Sequence, residues 1–385
     1  MNFSPTLPPP AATPPRVRFL DLVATHAGLR GELERAAARV VSAGAYVLGP
    51  ELERFESLFA QEVGAAHCVG VGSGLDALTL ALAARGVGAG DEVIVPGHTF
   101  IATWLAVTRV GAVPVPVDPI AEGFNLDPDA VAAAIGPRTA AIVPVHLYGE
   151  PAAVGALRTI ACRHGLALVD DAAQAHGASV EERAVGALCD ATAWSFYPGK
   201  NLGALGDGGA ITTDDVQLAT RLRRLRNYGS ERKYVHVEMG VNSRLDDLQA
   251  ALLSCKLPYL QGWNARRRAV AARYSTGLAS LPVVVPNLDQ AAGHVFHLYV
   301  IRSPERDALR SALVEWGVET GIHYPIACHR QRVFAGSAAA CAELPASERL
   351  AAEVLSLPMG PHLSDDDVDH VIDAFCAFYA DARGE

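Results

Sequence analysis

The chain has 385 residues, and its 32 basic and 42 acidic side chains give a formal net charge of −10 at pH 7. A chain that is 50% hydrophobic is expected to fold into about two domains, and its acidic balance argues against a general nucleic-acid binder. No apolar run reaches the roughly 18–20 residues that span a bilayer. The seven cysteines are scattered and include no CxxC pair, so they indicate neither a disulfide framework nor a zinc site. We therefore expect a cytoplasmic protein that has no membrane-spanning segment and no metal site.

The N-terminal segment, residues 1–18, is rich in proline and has neither the basic start nor the apolar core of a signal peptide. We predict a flexible arm there. Two helices are predicted next, at 31–42 and 51–62.

From residue 68 onward, short β-rich runs alternate with helical stretches. The seven predicted strands lie at 68–72, 92–96, 113–117, 140–146, 166–170, 191–196 and 209–213. The predicted helices lie at 76–84, 101–110, 128–135, 152–164 and 216–226. Apolar strands joined by helical crossovers predict an α/β fold with a mainly parallel seven-stranded sheet. Ligands of such sheets bind beyond the carboxyl ends of the strands.

The rest of the chain has a different pattern of predicted elements. A helix is predicted at 245–260, strand-like pieces at 283–285 and 297–301, and further helices at 304–316 and 365–380. This pattern predicts a large domain at 19–250 and a smaller α+β domain at 251–385.

The first predicted strand ends in a glycine-rich turn, GVGSGLDAL at 70–78. Glycines allow a close backbone approach, and the free N–H groups of a helix start favour a phosphate. A dinucleotide site would also need an acidic residue at the end of the next strand, but that strand ends in Pro96, Gly97 and His98. The turn therefore favours a single phosphate over NAD.

The next two motifs also follow strand ends. In PGHTFIAT, Phe100 is either an aromatic plate in a cleft or a core residue, and core packing is the commoner role. In LVDDAAQ, Asp170 and Asp171 end a buried strand, where a carboxylate needs a cation or hydrogen-bond donors. Helix capping accounts for one of these aspartates more easily than for both together with Gln174.

Lysine is scarce in this sequence. Lys200, Lys233 and Lys256 are the three lysines among the 32 basic residues, and arginine codon bias explains that ratio on the surface. Lys200 stands apart because glycine and apolar residues enclose it in SFYPGKNLGALGDGG. A desolvated lysine has a lowered pKa and serves as an amine nucleophile or base.

Together these motifs supply the groups that hold pyridoxal 5'-phosphate (PLP): a turn that binds phosphate, an aromatic ring, a carboxylate at a strand end and an enclosed lysine. In this arrangement the lysine forms the Schiff base, and the carboxylate pairs with the pyridinium nitrogen.

The chain resembles the DegT/DnrJ/EryC1/StrS family of sugar aminotransferases over nearly its whole length. Six ordered motifs carry the resemblance: GSGLDAL, PGHTFIAT, PVHLYG, DDAAQAHGA, SFYPGKNLGALGDGG and GVNSRLDDLQAA. The resemblance implies a fold-type I, aspartate aminotransferase-like fold that binds PLP. It also implies a homodimer whose active sites lie at the subunit interface.

The resemblance assigns roles to individual residues. Lys200 matches the Schiff-base lysine, Asp171 the carboxylate at the pyridine nitrogen, and Gln174 the amide near the phenolic oxygen. Phe100 matches the stacked aromatic ring. The positions that match phosphate-binding groups are Gly74, Leu75, Asp76 and Ser195, with Asn242 reaching the phosphate from the partner subunit or, alternatively, lying in a helix-capping region. Leu75 replaces a Thr of many relatives, a variant that we associate with 3-keto sugars.

The implied reaction is a ping-pong transamination. L-glutamate gives its amino group to the cofactor, Lys200 carries the proton as general base and acid, and the amine then passes to the keto group of a nucleotide-linked sugar. The candidate substrate contacts are Arg232, Lys233, Tyr234 and His236 in one loop, and His323 and His329 in GIHYPIACH. A solvated loop and structural histidines are the alternatives.

The motifs favour 3-amination of a dTDP-linked 3-keto-6-deoxyhexose. A 4-keto-sugar aminotransferase of the same family and a PLP-binding regulatory protein stay open as alternatives, and an NAD-linked oxidoreductase is a weaker one. Some relatives carry His in place of the lysine and remove a hydroxyl group; Lys200 argues against that activity.

Overall fold

The computed structural model describes residues 16–288 and 293–383, and its largest element is a seven-stranded sheet. The strands of this sheet are β1 (His67–Val71), β2 (Glu92–Pro96), β3 (Val113–Val117), β4 (Thr139–Ile142), β5 (Ala167–Asp171), β8 (Ala191–Ser195) and β9 (Gly209–Thr213). A small hairpin of β6 (Ser179–Val180) and β7 (Arg183–Ala184) lies between β5 and β8 in the chain.

The strands lie in the order β1-β9-β8-β5-β4-β2-β3. Strand β9 runs antiparallel to β1 and β8, whereas the pairs β8–β5, β5–β4, β4–β2 and β2–β3 are parallel. The predicted mainly parallel sheet of seven strands is therefore confirmed. Its parallel strands end at one edge, where the chain continues into the motifs that the sequence singled out.

Helices cover both faces of the sheet. In the larger part of the chain they are α1 (Leu22–His26), α2 (Arg30–Ala43), α3 (Pro50–Glu62), α4 (Gly74–Ala84), α5 (Ala102–Arg109), α6 (Pro128–Ala134), α7 (Val154–His164), α8 (Val216–Leu225) and α9 (Asp247–Lys256). One face buries Phe55 and Phe59 of α3 against Trp194. The other face buries Trp104 of α5 and Leu222 of α8.

The remaining elements are a hairpin and a C-terminal group. The hairpin consists of β10 (Ser230–Arg232) and β11 (Val235–His236). The C-terminal group consists of α10 (Leu260–Leu278), β12 (Tyr299–Arg302), α11 (Arg306–Glu315), α12 (Pro345–Glu353), β13 (Val354–Leu357) and α13 (Asp365–Arg383). Strands β12 and β13 pair antiparallel, and helices α10, α11 and α13 share one apolar core with them.

Two predicted strands differ from the structure. The strand predicted at 140–146 ends at Ile142, because Pro144 has no N–H with which to extend the ladder. The piece at 283–285 makes a single bridge between Val284 and Arg302. Strand β13 and helix α12 were not predicted.

Most of the predicted arm lies outside the described residues, which begin at residue 16. Its last residues are fixed, because the Val17 N–H donates to the Gly317 carbonyl at 3.0 Å and Val17 bridges to Val318. The predicted domain boundary at residue 250 falls within α9, which packs against α2 and α3, and it stays a prediction. In the described part of the chain, no helix combines the length and apolar character that crossing a membrane requires.

Candidate active site

A cavity of about 630 Å³ lies at the carboxyl edge of the sheet. It brings together most of the residues that the sequence predicted for a cofactor site: Gly74, Leu75, Phe100, Asp171, Gln174, Ser195 and Lys200. These residues end or follow β1, β2, β5 and β8, so the sheet itself positions most of them.

One side of the cavity is built for an anion. Ser73 caps α4, and its Oγ accepts the Asp76 N–H at 3.1 Å. The Asp76 side chain is held by Ser243 Oγ at 2.8 Å and Arg109 Nη1 at 3.1 Å. Asp76 does not line the cavity, and its backbone amide already donates to the Ser73 cap. The amides of the first helical turn that remain available to a ligand in the cavity are therefore those of Gly74 and Leu75.

Glycine is required at position 74. A Cβ there would lie 2.6 Å from the Cβ of Ser195, closer than real Cβ atoms approach. Ser195 Oγ accepts the Tyr197 N–H at 3.3 Å, so its own O–H is free to donate. We call the amides of Gly74 and Leu75 with the Ser195 hydroxyl the anion cradle.

Asp171 lies buried in the floor of the cavity. Its Oδ2 accepts Thr103 Oγ1 at 2.8 Å, and its Oδ1 accepts the Ala173 N–H at 3.1 Å. Burial raises the pKa of Asp171, while the two hydrogen bonds and the charge of Lys200 oppose that rise. A cation in contact with this carboxylate would keep it ionised.

The neighbouring aspartate has a separate environment. Successive side chains of a strand point to opposite faces, and Asp170 faces His146, whose Nε2 lies 3.4 Å from Oδ2. His146 Nδ1 accepts the Ala152 N–H at 2.9 Å, so in the neutral ring the proton is on Nε2, although this nitrogen forms no hydrogen bond with Asp170. The two carboxylates of the sequence motif therefore act in different places.

Lys200 is half-buried in the wall of the cavity. Burial lowers the pKa of its amine to about 8, although Asp171 acts in the opposite direction. The backbone N–H of Lys200 donates to the Tyr197 carbonyl at 2.9 Å. Lys256, to which the sequence assigned no role, is buried and donates from Nζ to the Gly203 carbonyl at 2.8 Å. It holds the loop that presents Lys200.

Phe100 and Gln174 meet a tyrosine that the sequence analysis did not single out. Phe100 is 51% exposed, so it is not a core aromatic, and its ring centroid lies 5.5 Å from that of Tyr324. Gln174 Nε2 donates to the Tyr324 hydroxyl at 3.1 Å, and its Oε1 accepts the Tyr148 N–H. The amide of Gln174 is thereby fixed in one orientation.

A chain of amides leads from the backbone to His297, another residue that the sequence did not reveal. The His176 carbonyl accepts Asn264 Nδ2 at 2.8 Å, and Asn264 Oδ1 accepts Asn201 Nδ2 at 2.9 Å. Asn201 Oδ1 is then left to face His297 Nδ1 at 3.1 Å. Because only a donor fits at each step, His297 carries its proton on Nδ1 and a lone pair on Nε2.

The predicted substrate residues are not all at this cavity. His323 lines it, with Nδ1 2.8 Å from Ser356 Oγ. His329 lies elsewhere, buried with Nε2 2.9 Å from Glu348 Oε1. The other candidates, Arg232, Lys233, Tyr234, His236 and Asn242, are exposed and do not line it.

Comparison with known proteins gives consistent results. The sequence profile described as the DegT/DnrJ/EryC1/StrS aminotransferase family matches residues 29–376. The chain is 56% identical to the erythromycin biosynthesis sensory transduction protein EryC1 of Saccharopolyspora erythraea, over 92% of this chain and 98% of that protein. It is 54% identical to a dTDP-3-amino-3,4,6-trideoxy-alpha-D-glucose transaminase of Streptomyces venezuelae, over 94% of this chain and 96% of the relative.

Among solved structures, the fold is similar to that of S. venezuelae DesV, crystallised in complex with a ketimine intermediate. The TM-score is 0.92 at 53% sequence identity, and the match covers 94% of this chain and 98% of DesV.

Proposed function

Because this chain belongs to the DegT/DnrJ/EryC1/StrS aminotransferase family, we propose that it transfers the amino group of L-glutamate to C3 of a dTDP-linked 3-keto-6-deoxyhexose. The chain is a PLP-dependent aminotransferase. The S. venezuelae relative is named for a 3-amino-3,4,6-trideoxy sugar, so the corresponding 3-keto-4,6-dideoxy sugar is the first substrate to test.

The observation that carries this proposal is the convergence of Lys200, Asp171 and the anion cradle on one cavity. These residues suit PLP: the anion cradle would hold its phosphate, Asp171 its ring nitrogen, and Lys200 its aldehyde carbon. Gln174, whose amide Tyr148 and Tyr324 hold in place, would lie beside the phenolic oxygen.

When bound, PLP supplies an electron sink that stabilises negative charge at the carbon bearing the transferred nitrogen. Lys200 would move the proton as general base and acid, because a pKa of about 8 leaves part of its amine neutral near pH 7. Asp171, which is buried, would pair with the ring nitrogen and favour its protonated form. Thr103 and the Ala173 amide orient that carboxylate.

Leu75 supports the 3-keto assignment. It lines the cavity beside the anion cradle and has no side-chain hydroxyl with which to bind a phosphate, so the phosphate relies on backbone amides and Ser195. We associate a leucine at this position with relatives that act on 3-keto sugars, and we therefore prefer amination at C3 to amination at C4.

We further propose a homodimer in which each subunit completes the other's site. The hairpin β10–β11 and the segment after it expose apolar side chains, with Tyr234 84% and Met239 95% exposed, as expected of an unpaired interface. Arg232, Lys233 and His236 would then reach the nucleotide diphosphate across the interface, and Asn242 the cofactor phosphate. A monomer with full activity in sedimentation and rate assays would contradict this arrangement.

The relative EryC1 is named as a sensory protein. In this chain, the presence of Lys200, Asp171 and Gln174 in one cavity supports catalysis.

A cytoplasmic location remains our expectation from the composition of the chain.

The test is a product analysis. The PLP-loaded enzyme is incubated with L-glutamate and a panel of dTDP-, UDP- and GDP-linked 3-keto and 4-keto sugars, and the products are identified by mass spectrometry and NMR. We expect amination at C3 of a dTDP-linked 3-keto sugar. Amination confined to C4, or exchange with glutamate without amination of any sugar, would refute the proposal, and Lys200→Ala serves as the inactive control.

A further inference from the structure

One end of the cavity contains a guanidinium group without an acidic partner. Arg267 of α10 is 4% exposed and lines both the main cavity and a small cavity beneath the Lys200 loop. Its Nη1 donates to the carbonyls of Phe296 at 3.0 Å, His297 at 3.1 Å and Met359 at 3.4 Å. Its Nε–H has no hydrogen-bond partner, and no carboxylate of the described residues forms an ion pair with it.

Lys200, His297 and His323 line the same cavity as Arg267. Asp207 lines it too, but this carboxylate is exposed and forms no ion pair with Arg267. Burial, together with the charges of Lys200 and Arg267, holds the pKa of His297 well below its usual range, and burial with the charge of Lys200 lowers that of His323 to about 4. Asp171, the buried carboxylate of the cavity, is assigned to the cofactor. A buried cation without a counter-charge is costly, so this end of the cavity lacks an anion.

The neighbouring histidines cannot bind that anion well. Both rings are neutral near pH 7, and His297 has no proton on Nε2 because Asn201 accepts the one on Nδ1. Burial lowers the pKa of Arg267 only to about 10, so its guanidinium stays charged. Arg267 is therefore the cation available for an anionic ligand beside Lys200.

We propose that Arg267 binds a carboxylate of the amino donor and thereby selects an acidic amino acid such as L-glutamate. A guanidinium fork matches a carboxylate in shape and charge. The phosphate of the cofactor has its own site in the anion cradle, and a 3-keto-6-deoxyhexose ring carries no carboxylate. This inference rests on the proposed function, and it adds the residue that distinguishes the donor from the sugar.

The competing explanation is a purely structural one, in which Arg267 only ties carbonyl groups together. Arg306 provides a control. It is also a buried arginine whose Nη1 donates to two carbonyls, those of Ala351 at 3.3 Å and Val354 at 3.1 Å, but it pairs with Asp307 and lies outside the cavity. Replacing each arginine by glutamine removes the charge in both places and changes the cavity in one.

The experiment measures binding and the two half-reactions separately. Glutarate, a dicarboxylate that cannot react, is titrated into PLP-loaded enzyme by calorimetry. Stopped-flow absorbance then follows the PLP form with L-glutamate, and the aminated cofactor form with the keto sugar. For Arg267→Gln we expect glutarate and L-glutamate affinities to fall about 10- to 100-fold, and the sugar half-reaction to change less than about threefold. Arg306→Gln should leave all three values near those of the unmodified enzyme.

Two outcomes would overturn the proposal: unchanged glutarate affinity in a folded Arg267→Gln enzyme, or equal losses in both half-reactions. If that variant does not fold, Arg267→Lys carries the test, because it keeps the charge and loses the fork. It should weaken glutarate binding by about threefold to tenfold, and unchanged affinity would contradict us. An unmodified enzyme that exchanges with L-glutamate but aminates no sugar would refute the proposed function and leave the role of Arg267 standing.

Discussion

The two sides of the cavity are held in place by different means. On the sheet side, Asp171 and Ser195 are the last residues of β5 and β8, and the backbone ladder fixes them. On the opposite side, His323 and Tyr324 are fixed by contacts between distant parts of the chain: Gln174 reaches Tyr324 across 150 residues, and Tyr148 reaches the His323 carbonyl across 175.

This difference matches the division of work that we propose. The cofactor stays in place through every cycle, so it benefits from groups on a rigid sheet. The donor and the sugar occupy the same space in turn, and the groups assigned to them belong to loops and to α10. Substitutions on the sheet side should therefore damage both half-reactions equally, whereas substitutions on the opposite side should separate them.

The largest effect is expected for Lys200→Ala. Removing the amine that carries the proton should reduce turnover by roughly 10³- to 10⁴-fold, while the anion cradle and Asp171 still bind the cofactor. Mass spectrometry of the product measures the first effect, and retention of absorbance after desalting measures the second. Turnover like that of the unmodified enzyme would exclude Lys200 as the catalytic group.

Asp171→Asn should come next. Without the carboxylate the ring nitrogen loses its partner, and both half-reactions should slow on the order of 10²-fold. Stopped-flow traces with L-glutamate and with the keto sugar check whether the two losses are equal.

The neighbour of Asp171 is the matched control for that substitution. Asp170→Asn should change the free energy of unfolding by about 1–3 kcal/mol, because it removes the charge of a buried carboxylate that lies 3.4 Å from His146 Nε2 and has no hydrogen-bond partner. The half-reactions of the folded Asp170→Asn variant should stay unchanged. Loss of catalysis in both variants would mean that the aspartates act together rather than on separate faces of the sheet.

Gly74→Ala tests the anion cradle. The added Cβ would force Ser195 away, and we expect PLP affinity to fall about 10- to 100-fold. Gly155→Ala in α7 is the control, since no atom lies within 4 Å of the added carbon. Fluorescence titration of the cofactor-free protein measures both affinities, and equal affinities would show that the close approach does not matter.

The smallest effect concerns pH. Because burial lowers the pKa of Lys200 from 10.5 to about 8, the reactive neutral amine increases with pH and reaches its plateau just above pH 8. The rate at which cofactor-free protein captures PLP covalently should rise about tenfold per pH unit below that value. A rate that keeps rising to pH 10 would show an amine that is fully hydrated.

Sequence reasoning was effective on one side of the cavity for a physical reason. Strand ends are visible in a sequence, and parallel strands bring their ends to one edge, so Asp171, Ser195 and Lys200 were expected near one another and do line one cavity. The opposite side depends on tertiary contacts that no local pattern shows. His323 and His329 are six positions apart in one motif, yet one lines the cavity and the other pairs with Glu348.

The sequence does contain a signal that distinguishes Arg267 from its neighbours. Arg267 is the middle one of three consecutive arginines, and composition alone does not distinguish them. Helical spacing does, because Asn264, Arg267, Ala271 and Tyr274 lie on the buried face of α10. An amide and a guanidinium on the buried face of a helix indicate a buried polar site.

The amide chain that ends at His297 has a consequence for inhibitor design. Its direction is fixed at the His176 carbonyl, so the ring offers a lone pair, rather than a proton, to any compound that reaches Nε2. A hydroxyl or an amide N–H would be accepted at that position. A fluorine or an ether oxygen would meet electrostatic repulsion, which makes fluorinated sugars useful probes of how a ligand is oriented beside Lys200.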